Sequence, residues 1–260
     1  MKNTLGKNTR ILLLTYIGLL CLAAFFYPGG NYIEKEKLDN LKIELEEGQI
    51  SNKIQKLLDM DSKNEFDIKK EIIITPYYKF KTNFISDLGR TTSHSGADNT
   101  ISIILFSIGM LTQIIASFFY LFNAADYFSE DKPRISLIAK ISAACGSISL
   151  LGVIFTPADV EYLYRLHIFF ANSVFNCALL TLGIYAYLFY SKGLKSITYT
   201  LFVCSFIILG YIVFLKIGPH PKDSIETLTM HATYQKIAVL SLVGTIWVMS
   251  KGTDLLNDKV

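Results

Sequence analysis

Six apolar runs, residues 11–27, 101–122, 135–155, 167–190, 197–215 and 232–250, constrain this chain more than any other feature of it. At about 1.5 Å of rise per residue, runs of this length can cross a hydrocarbon core of about 30 Å, the first and last being the shortest or most polar. Charge is segregated away from them. Residues 31–90 hold 23 of the 47 charged side chains, 11 basic and 12 acidic, so the other 200 residues carry 24, or 12%. An ordinary globular domain has about 25%. A soluble enzyme is therefore excluded. The expected fold is an all-α polytopic membrane protein, a six-transmembrane-helix bundle with a small extracytoplasmic cap between its first two helices. A net charge of +3 spread over scattered basic residues gives no footprint for a nucleic-acid partner.

Three regions follow: residues 1–30 as an N-terminal segment with the first helix, 31–100 as the charged loop or cap, and 101–260 as helices two to six. The basic start with Lys2, Lys7 and Arg10 resembles a secretory signal. No small-x-small cleavage site follows it, and the chain runs into Tyr27-Pro28-Gly29-Gly30, so it reads as a retained helix. Short-loop charge sets the orientation. With the N-terminus inside, nine Lys or Arg face the cytoplasm (Lys2, Lys7, Arg10, Lys132, Arg134, Lys192, Lys195, Lys251, Lys259) against four outside (Arg165, Lys216, Lys222, Lys236). Both termini are expected in the cytoplasm of a cell-membrane protein. Lys140 lies near the cytoplasmic end of the third run, where it can snorkel.

Within the cap, Leu38, Leu41, Leu45 and then Ile50, Ile54, Leu57 recur at helical spacing either side of Gly48, predicting two short amphipathic helices. Tyr77, Tyr78, Phe80 and Phe84 suit an aromatic belt at the membrane surface. Cys21, Cys145, Cys177 and Cys204 fall inside apolar runs without C-x-x-C spacing, so they read as packing residues rather than a zinc or disulfide framework. The small residues of 142–149 read as a helix-packing seam, and Asn172 and Asn176, one turn apart, as interhelical hydrogen-bonding groups. No metal or cofactor is expected.

All four histidines, His94, His167, His220 and His231, fall on the outer side in this topology, level with Asp87, Arg90, Asp98, Asp159 and Arg165. Imidazole and carboxylate are the usual groups for proton transfer and headgroup contact. The catalytic candidates are Asp87, Asp159 and His167. The candidates for binding a lipid or partner are Arg90, His94, Asn99, Arg165 and His231. Thr156-Pro157-Ala158-Asp159 also has the form of a helix start, with Thr156 as N-cap and Asp159 answering it. On one continuous helix Asp159 and His167 would be about 80° and about 12 Å apart, so Asp87 is the preferred partner of His167. There is no G-x-S-x-G elbow and no H-E-x-x-H to support a hydrolytic motif.

Several spaced strings then act together: Tyr27-Pro28-Gly29-Gly30-Asn31, Asn83-Phe84-Ile85-Ser86-Asp87-Leu88-Gly89, Asn99, and Pro157-Ala158-Asp159 with His167. In order and position they resemble the prokaryotic membrane family known as domain of unknown function nine-nine-eight. That family is distantly similar to the DRAM (damage-regulated autophagy modulator) proteins and to the N-terminal region of a yeast cell-wall protein implicated in remodelling GPI-anchor lipids. The resemblance spans the chain apart from the charged insert of about residues 32–81. It implies a six-helix bundle with both ends cytoplasmic, and Asp87, Asp159 and His167 as the family-like positions. At the outer end of the last helix the chain departs from the pattern, carrying Gln235-Lys236 where an acidic residue beside a basic one is expected. Two functions stand: a membrane protein whose outer rim binds a lipid headgroup or partner, and a lipid-modifying hydrolase or transferase.

Orientation is open to direct labelling. In a background lacking the native cysteines, Cys substituted at Lys7, Lys192 and Lys251 should resist an impermeant thiol reagent in intact cells, while Cys at Lys53 and Lys222 should react. The reverse pattern would invert the topology.

Overall fold

The computed structural model describes residues 2–29, 32–34, 71–72, 77–94, 97–221 and 223–257, and the predicted cap helices of residues 38–57 lie outside these. Six long helices carry the fold: α1 Lys2–Phe26, α2 Thr100–Ala124, α3 Pro133–Phe155, α4 Glu161–Ser191, α5 Lys195–Ile217 and α6 Ile225–Asn257. All six are long and apolar enough to span a membrane, which makes this an all-α, multi-pass bundle. Each helix packs on its neighbours in sequence, and α6 returns to α1, so the staves close a ring. Tyr16, Tyr120, Tyr185, Phe128, Phe189 and Met249 are among the buried side chains of its interior.

Local chemistry explains the ends. Gly29, at a φ of 81°, takes the chain out of α1 in a conformation that costs a side chain strain. Pro133 opens α3 at a position whose N–H has no helical partner. At the end of α4 the Leu194 amide donates to the Phe189 carbonyl (3.0 Å) and the Gly193 amide to Tyr190 (2.9 Å), a Schellman stop that requires the positive φ of Gly193, 75°. Ser224 and Thr227 cap α6 reciprocally, each side-chain oxygen accepting the other's amide at 3.1 and 3.0 Å. The helices α4 and α6, at 31 and 33 residues, outrun their apolar cores because such polar ends continue the helix beyond the hydrocarbon.

The expected start of a helix at Thr156 is not what forms. Thr156 instead ends α3, its hydroxyl donating to the Gly152 carbonyl at 2.7 Å, and α4 begins at Glu161 after a turn through Pro157. The seam of residues 142–149 does join helices: the Ser142 and Thr181 hydroxyls lie 2.6 Å apart between α3 and α4, and Gly146 faces Cys177. The cysteines pack less than expected, with Cys21 and Cys145 exposed on the bundle's outer surface. Lys140 pairs with Asp126 at 2.5 Å and lies 4.7 Å from the Phe122 ring centre, its stem running along apolar surface towards the polar end.

The even number of staves puts both chain ends at one end of the bundle, here the termini end, and the described residues between α1 and α2 at the other, the loop end. At the termini end Arg10 of α1 donates to the Asp254 carboxylate of α6 at 2.7 Å and to the Ser250 hydroxyl at 3.1 Å. The close approach depends on Gly6. A Cβ there would meet Asp254 Oδ1 at 2.4 Å and the Ser250 carbonyl oxygen at 2.8 Å, and backbone does not yield as a side-chain tip does.

Gly6→Val should therefore destabilise the bundle by about 1–3 kcal/mol, the usual cost of overpacking. Gly18→Ala, where a Cβ meets nothing within 4 Å, should change stability by less than about 1 kcal/mol. Thermal melts in detergent distinguish them.

Candidate functional site

The loop end is ordered around a buried carboxylate. Asp87 sits in a single 3-10 turn, Ile85–Gly89, and is 5% exposed. Its Oδ2 accepts the Phe84 amide at 2.7 Å and the Asn83 side-chain amide at 3.2 Å, while Oδ1 lies 3.1 Å from His94 Nε2. Burial pushes the carboxyl up, but His94, Arg90 and the Asn83 amide outweigh it and hold the group below the ordinary carboxylate range. Gly89 lets this turn rest on Phe106 of α2, where a Cβ would come within 2.6 Å of the ring.

Around the turn stands an aromatic and polar frame. The Tyr78 hydroxyl donates to the carbonyls of Asn83 and Phe84, both at 3.2 Å, and its ring meets Tyr27 edge to face at 5.8 Å. Burial, with the nearby charge of Asp87, pushes both phenols up. From α6, Gln235 Oε1 accepts the Ile85 amide at 2.8 Å. Beside it the buried Lys236 ammonium donates to the Asn83 carbonyl and to Ala232, its head 5.0 Å from the Phe80 ring centre. Of the expected aromatic belt, Tyr77 and Phe80 are exposed, whereas Tyr78 turns inward.

Asp159 has a different task. Its carboxylate accepts the backbone amides of Thr91 and Thr92 at 3.0 and 2.9 Å and the Thr91 hydroxyl at 2.5 Å, bracing the loop before α2 from the α3–α4 turn. Burial raises its carboxyl, and these donors with Arg90 lower it further than burial lifts it. His167 is buried on α4, its Nδ1 2.6 Å from the Thr156 carbonyl oxygen. The expected pairing of His167 with an aspartate is thus replaced: the imidazole partner of Asp87 is His94, and His167 feels Asp87 and Asp159 only through space. The carbonyl of Thr156 is exposed to His167 because α3 ends there, which the helix-start reading of that segment concealed.

The other candidates divide by exposure. Asn99 is 1% exposed and donates to the Leu88 and Arg90 carbonyls at 3.3 and 2.8 Å, so it ties the turn to α2 and does not face solvent. His231 is also buried, with Nε2 2.7 Å from the Pro219 carbonyl oxygen and its ring on Phe214 at 4.5 Å. Arg165 is exposed at the start of α4. Arg90 is half-buried, and its Nε donates to the Thr92 carbonyl at 3.1 Å, which orients the guanidinium. Among the described residues no group of three or more His, Cys, Asp or Glu is placed to hold a metal ion. A groove of about 600 Å³ lined by Ser196, Tyr199, Thr200 and Val203 opens at the termini end of α5, away from this cluster.

Sequence reasoning missed Asn83, Gln235 and Lys236 as members of the cluster. A lysine inside the last apolar run was the available signal, since an ionisable group there must find a partner.

Fold and site define a multi-pass helical membrane protein with a rigid polar platform at its loop end. Comparison with protein-family models, curated proteins and solved structures finds no match.

Because the Asp87 carboxyl titrates below its unfolded value, the stability it contributes is fully present above the unfolded value of about 3.9 and is lost as pH falls through the folded one. Asp87→Ala should cost about 2–4 kcal/mol near neutral pH, through the stranded donors of Phe84 and Asn83, and should flatten the acid limb of the stability profile. In a double-mutant cycle Asp87 should couple to His94 by about 0.5–3 kcal/mol, while Asp159 and His167 should add. Coupling of Asp159 to His167 instead would contradict this geometry.

Proposed function

We propose that this protein resides in the cell membrane with both termini in the cytoplasm, and that its extracytoplasmic rim binds the phosphate-bearing headgroup of a membrane lipid. One observation carries the reading. Among the described residues, Arg90 commits only its Nε to a protein acceptor, the Thr92 carbonyl, leaving the fork of its guanidinium oriented at the rim within electrostatic reach of Asp87, the partner of His94. A guanidinium fork matches two phosphate oxygens, and orienting it beforehand lowers the ordering cost of binding. Asp87 and Asp159 act on this guanidinium through space and make no hydrogen bond with it among the described residues, each carboxylate accepting backbone amides instead. Arg165, exposed at the same end, adds positive charge. The cap of residues 31–81 would supply selectivity among headgroups. The resemblance to the domain of unknown function nine-nine-eight family, and through it to a protein implicated in lipid remodelling, points to the same ligand class.

A second reading rests on the 3.1 Å contact of Asp87 with His94. A carboxylate that orients a partly exposed imidazole is the arrangement of a general base, so the platform could act as a lipid-modifying hydrolase or transferase in which His94 takes the proton.

Lipid retention separates the outcomes. Native mass spectrometry of protein purified from mixed bilayers should find phosphatidylglycerol retained over phosphatidylcholine, with Arg90→Gln reducing that retention about tenfold and Arg90→Lys less. Equal retention by wild type and Arg90→Gln would remove the headgroup reading. Release of product from a labelled phospholipid, lost in His94→Gln, would select the enzyme.

A further inference from the structure

The outward face of α4 carries polar groups where only lipid would otherwise touch it. Residues 165, 169, 172, 176, 180, 183, 187 and 190 are all exposed, and at about 100° per residue they fall on one stripe of the helix. Its middle is formed by Asn172 and Asn176, one turn apart. Asn176 is the central residue of the 31-residue helix, and Asn172 lies about 16 Å from its start, so both sit at hydrocarbon depth. Neither was placed between helices of the bundle, as the sequence pattern had suggested.

Several other polar side chains on the lipid-facing surface satisfy themselves locally. Thr15, Thr112, Ser173 and Thr200 donate to the carbonyl four residues back on their own helices, and Asn123 does the same through its amide at 2.7 Å. Among the described residues Asn172 and Asn176 make no such bond, and both side chains are exposed. A primary amide in hydrocarbon without partners is strongly disfavoured, and each asparagine offers two donors and an acceptor oxygen. Acyl chains supply neither.

We propose that this face of α4 is the contact surface between two copies of the chain. The occupant follows from the chemistry: an amide is both donor and acceptor, so a two-fold axis beside α4 sets Asn172 and Asn176 of each copy against those of the other, and both pairs are satisfied without any further residue type. Gly183, on the same stripe with nothing within 4 Å of its Cβ position, leaves room for the approach about two turns beyond Asn176. Arg165 marks the loop-end limit of the stripe, near the polar end of α4, while His167 and the α3–α4 packing lie on other faces of the helix.

The test counts subunits of the full chain in phosphatidylcholine vesicles by single-molecule photobleaching over a range of protein-to-lipid ratios. Wild type should form pairs, and the double substitution Asn172→Leu with Asn176→Leu should raise the apparent dissociation constant about tenfold or more while leaving the thermal melt in place. Crosslinking gives an independent measure: in a cysteine-free background Leu180→Cys should form a disulfide-linked dimer on mild oxidation, and Leu209→Cys, exposed on α5, should not. Single copies at every density would mean that lipid covers this face and would overturn the proposal. So would undiminished pairing in the double variant, or crosslinking at 209 in place of 180.

Discussion

The loop end depends on a carboxylate taken out of water. A charged group buried at the edge of a low-dielectric bundle is tolerated only when donors surround it, and the chain provides them from three places: the Phe84 amide, the Asn83 side chain and the His94 ring. Those same residues are the polar connection between α1 and α2. Closing them on Asp87 turns a loop into a small rigid body, and the rest of the end is then built against it.

The helices take hold of that body from outside. Gln235 and Lys236 of α6 bind its backbone at Ile85 and Asn83, Asp159 in the α3–α4 turn binds Thr91 and Thr92, and Asn99 at the start of α2 binds Leu88 and Arg90. Loop groups that would be unsatisfied at a membrane boundary are thereby paired by side chains from three separate parts of the bundle. Gln235 and Lys236 use the loop end of α6 to hold backbone. Here an amide oxygen accepts the Ile85 N–H and an ammonium caps the Asn83 carbonyl, which is a structural use of the position and leaves Asp87 as the buried acid of the cluster. At the termini end a simpler pair, Arg10 with Asp254, joins the first helix to the last. The ring is thus closed by polar contacts at both ends and by apolar packing between them, leaving Arg90 and His94 held in place at the rim.

The all-helical, six-span architecture was legible without coordinates, because a hydrocarbon core admits few backbone solutions and apolar length is written linearly in the chain. The placement of Asp87, Arg90, His94 and Asp159 at one end was legible for the same reason, since the order of the spans decides the end at which each connection lies. The partner of each side chain was not. Thr156 reads equally well as the start of one helix or the end of another, and the choice rests on how α3 and α4 pack. Asp87 finds His94 instead of His167 because the 3-10 turn curls residues 83–94 onto themselves, a short-range geometry that no spacing rule announces.

Lys236 shows the same division. Its presence inside an apolar run demanded a partner, and the sequence alone determined that demand, as it determined the spans, their order and the sharing of one end by both termini. Which carbonyl meets the demand, which histidine lies beside the buried carboxylate, and which faces of α4 look towards lipid were decided only by tertiary structure. The physical reason is range: apolar length and charge segregation are properties of a segment against its solvent, whereas a hydrogen bond is won or lost within a fraction of an ångström, between groups as far apart in the chain as residues 83 and 236.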